Sequence, residues 1–473
     1  MRTAAAVVAA AVALAVAPAG SAAPSFAPND PLASRQWYLA ADHAFDFWPA
    51  PPILPPLKVA IVDSGIDGGH PEFAGRIAAA KSFVSGSPSP LVDTEGHGTF
   101  VAGLIGAALN NAQGIAGIAF SSQLVIAKAV GTGGIALISS ETAAIRWAVD
   151  QGARVINISL AGLRDPRDPH RDTYSEFEQQ AIDYATRHGA LVVAAVGNGD
   201  EAPSQPWPYA SYPAALPHVV GVAAYGPLGA VPAFSDRDAV FDDVGAPGQT
   251  ILSTFPRALT AKFPACGEQG YSSCGPSAYR RGDGTSFSAP QVTAAAALLF
   301  ALNPGLRPEQ VSTLIERSAV DASAANGCSA CRRGRDPLTG WGKLDIAAAL
   351  GATARTLPPP DALEPNDDAG ARAVAIPGRR VNATLDFWDD PRDVYAVRLK
   401  RGARLVARLT STGIRPGLVL WKPRTATVVT SRGGRLIAAH GASRILYRAP
   451  AAGVYYLEVR LRRPGTARYT LSR

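Results

Sequence analysis

Residues 57–65 read LKVAIVDSG. The run from Val59 to Val62 has no polar alternation, so a strand made of it must be covered on both faces, as in a parallel sheet packed between helices. The same wording recurs in LVIAKAV (124–130), RVINISL (154–160) and LVVAAV (191–196), all short and rich in Val, Ile and Ala. Between and after these runs lie segments of helical period, at Gly98 to Leu109, Ser139 to Gln151, Tyr174 to His188 and Ser286 to Leu302. Alternating strands and helices predict an α/β fold, a doubly wound and mostly parallel sheet with right-handed crossovers.

That pattern closes at GWGKLD (340–345) and a short Ala-rich helix. TLPPP (356–360) then reads as a stiff linker. Beyond it DVYAVRL (393–399), RLVARLT (404–410) and YYLEVRL (455–461) alternate apolar and polar residues between Gly, Pro and Asn. This predicts a small antiparallel β-sandwich. The expected division is a leader over 1–23, a large domain over 24–355, a linker over 356–362 and the sandwich over 363–473.

A length of 473 residues suits one large domain with a smaller one. With 47% hydrophobic and 18% charged residues the chain is globular and has a sizeable core, not a disordered one. The net charge of +7 gathers in pairs such as Arg332-Arg333, Arg379-Arg380 and Arg462-Arg463. A basic face of that kind could meet nucleic acid or an acidic envelope. No interleaved aromatic residues accompany it to stack bases, so no nucleic-acid partner is expected. The first 23 residues carry one early Arg, an apolar run of about 15 residues and small residues before Pro24, the pattern of a secretory signal. No stretch is long enough for a stable span, so an exported protein without a membrane span is expected, as a monomer. Four cysteines in an exported chain read as bridges. Local pairs, Cys266 with Cys274 and Cys328 with Cys331, are the first choice; a redox C-x-x-C and a four-thiol zinc site are the alternatives.

Three segments carry chemistry. Asp63 ends a strand, at the carboxyl edge where α/β sheets hold their sites. GHGTFVAG (96–103) places His97 at the start of a helix, and GDGTSFSAP (282–290) places Ser286 at the start of another. Serine needs a base to attack; His97 titrates near neutrality, and Asp63 would fix its tautomer. Backbone N–H groups at the start of the Ser286 helix would meet a developing oxyanion. Any one of these residues alone reads as a helix cap. Together, in the order Asp, His, Ser and each with its own glycine context, they form a catalytic set.

With those contexts, residues from about Asn29 to Leu350 resemble the subtilisin-like serine proteases. The resemblance implies an endopeptidase acting on proteins or peptides. It implies Asn198, in VAAVGNG (193–199), as side-chain donor to the oxyanion, although Asn in a Gly-flanked turn also has a plain structural reading. It implies that Ser159-Leu160-Ala161-Gly162 and Gly131-Thr132-Gly133 flank an extended peptide as a strand, with Ser211 at the pocket floor. No acidic residue falls in the matching pocket stretches, so apolar residues before the scissile bond are expected. The loop Leu109 to Ile115 resembles the family's calcium loop, implying the Asn111 side chain and the carbonyls of Leu109, Gln113 and Ile115 as ligands. Glu72 stands where the family has an Asp ligand, and Asp30 resembles an early ligand of the thermitase-like branch. Structural Ca2+ is the expected cofactor; Asn110-Asn111 as a simple turn is the alternative. Phe100, Phe287 and Gln291 depart from the family's usual His, Met and His. Glu364-Pro-Asn-Asp367, Asp390 to Tyr395 and Tyr455 to Tyr469 resemble the pre-peptidase C-terminal domain. An esterase, or a silent binding protein on the same scaffold, are the rival readings.

Overall fold

The computed structural model describes residues 26–473 except 87–88, 201, 261–277, 355–361, 365, 377, 388–389, 429–435 and 464. Strand β1 (Leu57–Asp63) lies inside a sheet completed by β2 (Ile77–Ser82), β3 (Ser122–Lys128), β4 (Val155–Ile158), β5 (Leu191–Ala195), β6 (Val219–Tyr225) and β7 (Val244–Pro247). The spatial order is β2-β3-β1-β4-β5-β6-β7 and every pair is parallel. Alternation along β1 explains its unbroken apolar text. Val59 and Ile61 enter one hydrophobic core, while Ala60 and Val62 enter another on the opposite face. Helices His97–Gly106 and Ala289–Leu302 build the first core, and Ile138–Asp150 and Glu176–Arg187 the second.

The order reverses around β1, so its carboxyl end opens on the crevice where doubly wound sheets place ligands. Strands β2, β6 and β7 go beyond the four runs read above. β2 is an edge strand with no fully buried position, and its text, IAAAKS, is mostly alanine without the Val-rich wording of the inner strands. β6 is buried throughout but is interrupted by Gly221, where a Cβ would lie 2.0 Å from Phe241 O. The helix expected from Ser286 starts later: Thr285–Phe287 form a 3₁₀ turn, and the α-helix begins at Ala289 with Pro290 in its first turn. Thr285–Leu302 is the one described stretch long and apolar enough to cross a membrane, and 89% of it is buried inside the fold, as befits a core helix.

The C-terminal part forms a five-stranded and a four-stranded sheet, antiparallel except for one short parallel pair. Their inner faces share one core containing Leu385, Leu409 and Leu471 of one sheet and Val397, Leu420 and Leu457 of the other, which makes a sandwich. His218 lies 2.9 Å from Asp367 between the two parts. Cys328 and Cys331 are bridged, with Cα atoms 5.3 Å apart; Cys266 and Cys274 lie outside the described residues.

Candidate active site

The carboxylate of Asp63, at the end of β1, is buried, and both its oxygens receive the His97 ring: Nδ1 is 2.8 Å from Oδ1 and 2.9 Å from Oδ2. His97 opens its helix because Gly96 turns the chain with φ 91°. A side chain there would strain the backbone and put a Cβ 2.6 Å from the Phe255 ring. Burial by itself would push the His97 pKa down. The Asp63 charge and hydrogen bond, with a further contribution from Asp93, outweigh it and hold the imidazole above its ordinary value.

Ser286 lines the same cleft, of about 300 Å³, together with Asn198, Ser159, Leu160, Ala161 and Ser211. Its Oγ donates to Ser159 O at 3.2 Å, and Ser159 Oγ donates back to Ser286 O at 2.8 Å. Asn198 is oriented by Thr285, whose N–H and Oγ both donate to Asn198 Oδ1 at 2.9 Å. With the amide oxygen engaged, its Nδ2 is left to serve as a donor.

Several positioning residues escaped the sequence reading. Asp93 accepts from the N–H groups of Glu95, Gly96 and Thr99 and from the hydroxyls of Ser64 and Thr99, tying the start of the His97 helix to the end of β1. Lys128 donates to Ser64 O and Val92 O from beneath. Asp93 lies three residues before Gly96, the residue that caps the His97 helix, so its position carried no ordinary N-cap signal. The roles of Lys128 and Thr285 depend on contacts remote in sequence and had no local signal. Phe100 and Phe287, read separately as departures, pack together with ring centres 4.2 Å apart, and Phe287 lies 5.7 Å from the His97 ring. Gln291 donates to Pro247 O at 2.6 Å and Phe287 O at 2.7 Å.

The two peptide edges that the resemblance implies differ. Val130 and Gly134 line the cleft, whereas Gly131, Thr132 and Gly133 form the outer part of an exposed or half-buried turn. On the other side Ser159, Leu160 and Ala161 face the cleft. Gly162 already exchanges two backbone hydrogen bonds of 2.8 Å with Tyr212, so its peptide groups are engaged within the protein. The cleft as a whole is less neutral than the local text of the pocket. Asp200 and Glu95 line it, and Asp236 stands behind Ser211, 3.1 Å from its Oγ.

The loop at Asn111 is gripped by two carboxylates. Asp30 accepts from the N–H groups of Asn110 (2.9 Å) and Asn111 (3.0 Å). Glu72 accepts from Ile115 N–H and Tyr279 OH, each at 3.0 Å, and from Asn111 Nδ2 at 3.2 Å. Asn111 Oδ1 accepts from Gln113 N–H at 2.8 Å. Burial pushes the Glu72 pKa up, the hydrogen bonds from Ile115, Tyr279 and Asn111 pull against it, and the Asp30 charge pushes it further up. Leu109 and Ile115 bracket this loop.

A carboxylate, an imidazole and a serine in that chain order, at the crevice of a doubly wound sheet, define a serine hydrolase of the α/β class. Residues 56–342 match the model of the Subtilase family, and the chain belongs to that family of serine peptidases. It is 35% identical over 306 residues to fervidolysin of Fervidobacterium pennivorans, a match that covers 62% of this chain and 40% of that protein. It is 31% identical over 299 residues to thermitase of Thermoactinomyces vulgaris, covering 62% of this chain and 92% of thermitase. A solved structure described as proteases from Pseudoalteromonas arctica aligns with TM-score 0.55 and 26% identity, over 69% of this chain and 99% of that one.

Proposed function

We propose that this chain is an exported endopeptidase that cleaves proteins and peptides by acyl-enzyme chemistry, with Ser286 as nucleophile, His97 as base, Asp63 as its partner and Asn198 as oxyanion donor. The double contact of His97 Nδ1 with Asp63, in a cleft also lined by Ser286 and Asn198, carries this reading. With Nδ1–H donated to the carboxylate, Nε2 is the basic nitrogen. Ser286 Oγ attacks the scissile carbonyl carbon as its proton passes to Nε2. The Asn198 amide and the N–H of Ser286 receive the oxyanion. Collapse breaks the C–N bond and His97 returns the proton to the leaving amine. Water, activated by the same nitrogen, then hydrolyses the ester.

The extended substrate would lie between the Ser159–Ala161 edge and the Val130–Gly134 turn, read mainly through its backbone. The walls of Leu160, Ala161 and Ala195 suit an apolar residue before the scissile bond near neutral pH. Asp30, Glu72 and the Asn111 loop form a hard-oxygen set, and the raised Glu72 beside a second carboxylate is a place where a cation relieves repulsion, which fits calcium. Bound there, calcium would tie the N-terminal segment to the loop. The leader at 1–23 supports export, 24–355 is the peptidase domain, and 363–473 is an accessory sandwich of pre-peptidase C-terminal type. The test is casein hydrolysis by the purified protein beside Ser286→Ala. Activity in the first and at most a trace in the second is expected; equal activity in both overturns the assignment.

A further inference from the structure

Behind the floor of the cleft is a carboxylate that the reaction does not use. Asp236 lies in the loop between β6 and β7 and is fully buried. Its backbone N–H donates to Gly197 O at 3.0 Å, and its Oδ2 accepts from the Ser211 hydroxyl at 3.1 Å. The approach is so close that a Cβ on Gly197 would fall 2.3 Å from Asp236 Oδ2 and 2.5 Å from Ser211 Oγ. Only glycine at 197 leaves the carboxylate this near to the pocket.

The direction of that hydrogen bond matters. A Ser211 hydroxyl whose proton points at Asp236 offers the cleft its lone pairs, so the floor accepts hydrogen bonds. If Asp236 is protonated, it can donate to Ser211 instead, and the floor loses both the charge behind it and its fixed polarity. We propose that Asp236, acting through Ser211, determines which side chain the pocket takes before the scissile bond, admitting lysine when it is charged and leaving apolar residues preferred when it is neutral. This rests on Ser211 being the floor of that pocket, as in the function proposed above. Apolar walls along a lysine stem, with an acceptor backed by a carboxylate at its end, match the two halves of that side chain.

The charge on Asp236 changes within the working range of such an enzyme. Burial pushes its pKa up to about 8; the hydrogen bond from Ser211 and the nearby Gly199 N–H pull down, and the Asp200 carboxylate pushes up. Below about pH 8 the floor is therefore neutral, and above it the floor is anionic, while a lysine substrate stays protonated to about pH 10. An ammonium bonded to Ser211 would sit about 6 Å from the charge, close enough for an effect on the order of tenfold to a hundredfold in kcat/KM.

The experiment compares two peptides that differ only in lysine or leucine before the scissile bond. Their kcat/KM values are measured from pH 7 to pH 9.5 with the wild type and with Asp236→Asn. The lysine-to-leucine ratio is expected to rise at least tenfold (on the order set by that charge) in the wild type and to stay flat in the variant. A wild-type ratio independent of pH, or the same rise in Asp236→Asn, overturns the inference and leaves the peptidase reading standing. If neither peptide is cleaved at any pH, the peptidase reading itself has failed. Should Asp236→Asn not fold, the wild-type ratio alone decides.

Discussion

Glu141, on the helix Ile138–Asp150, and Glu178, on the helix Glu176–Arg187, bury two carboxyl groups against each other in the core of the large domain. They hydrogen-bond to one another, which requires a shared proton. Burial pushes both up against an ordinary value of 4.5: Glu141 to about 7, against the pull of its hydrogen bond with Glu178, and Glu178 to about 9, with the Glu141 charge and hydrogen bond adding to the rise. The sign follows from proton counting. Between pH 7 and 9 the folded protein keeps one proton that the unfolded chain has lost, so stability falls as pH rises, by about 1.4 kcal/mol per pH unit. Over two units the pair lowers stability by about 2–3 kcal/mol. Glu178→Gln replaces the shared proton with a permanent N–H donor and removes that slope. The assay is urea unfolding at pH 7 and pH 9, with both proteins carrying Ser286→Ala so that neither digests itself. The variant should lose about 2–3 kcal/mol less than its parent between the two pH values. Equal losses in both would refute the shared-proton account.

Asn198→Ala should keep the fold and lower kcat by ~10²–10³, the scale known for an oxyanion donor in a subtilisin, and turnover within a few-fold of wild type would count against it. Because His97 is held above its ordinary 6.5, the acid limb of kcat/KM should have its midpoint above pH 6.5, with activity lost below it. A midpoint at or under 6.5 would mean that burial, not Asp63, governs the ring. Chelation should lower the melting temperature on the order of 5 °C, and Glu72→Gln should shrink that shift; no shift on chelation would remove calcium from the structure. The single Met is Met1, and Phe287 stands beside Ser286, so peroxide should leave most activity intact; rapid inactivation would contradict this.

The strands β1, β3, β4 and β5 were legible because a strand buried on both faces must be written in apolar residues. The edge strand β2 was not, since one side of it is half exposed and its text is mixed. Asp63, His97 and Ser286 could be picked out because each sits at an element boundary with a glycine one or two residues away, where the chain must turn closely and side chains are few. The glycine at 197 was equally visible, but what crowds it was not.

The sequence alone therefore determined the strand–helix alternation, the order of the three reactive residues and the second, antiparallel domain, because each is written in local period and spacing. The tertiary structure decided what surrounds them. Asp93 reaches Ser64 across 29 residues, Thr285 reaches Asn198 across 87, and Asp236 reaches Ser211 across 25. Glu141 meets Glu178 only because two helices pack on one face of the sheet. Hydrogen bonds and burial act through space over a few ångströms, and a linear text records no such distance between residues so far apart.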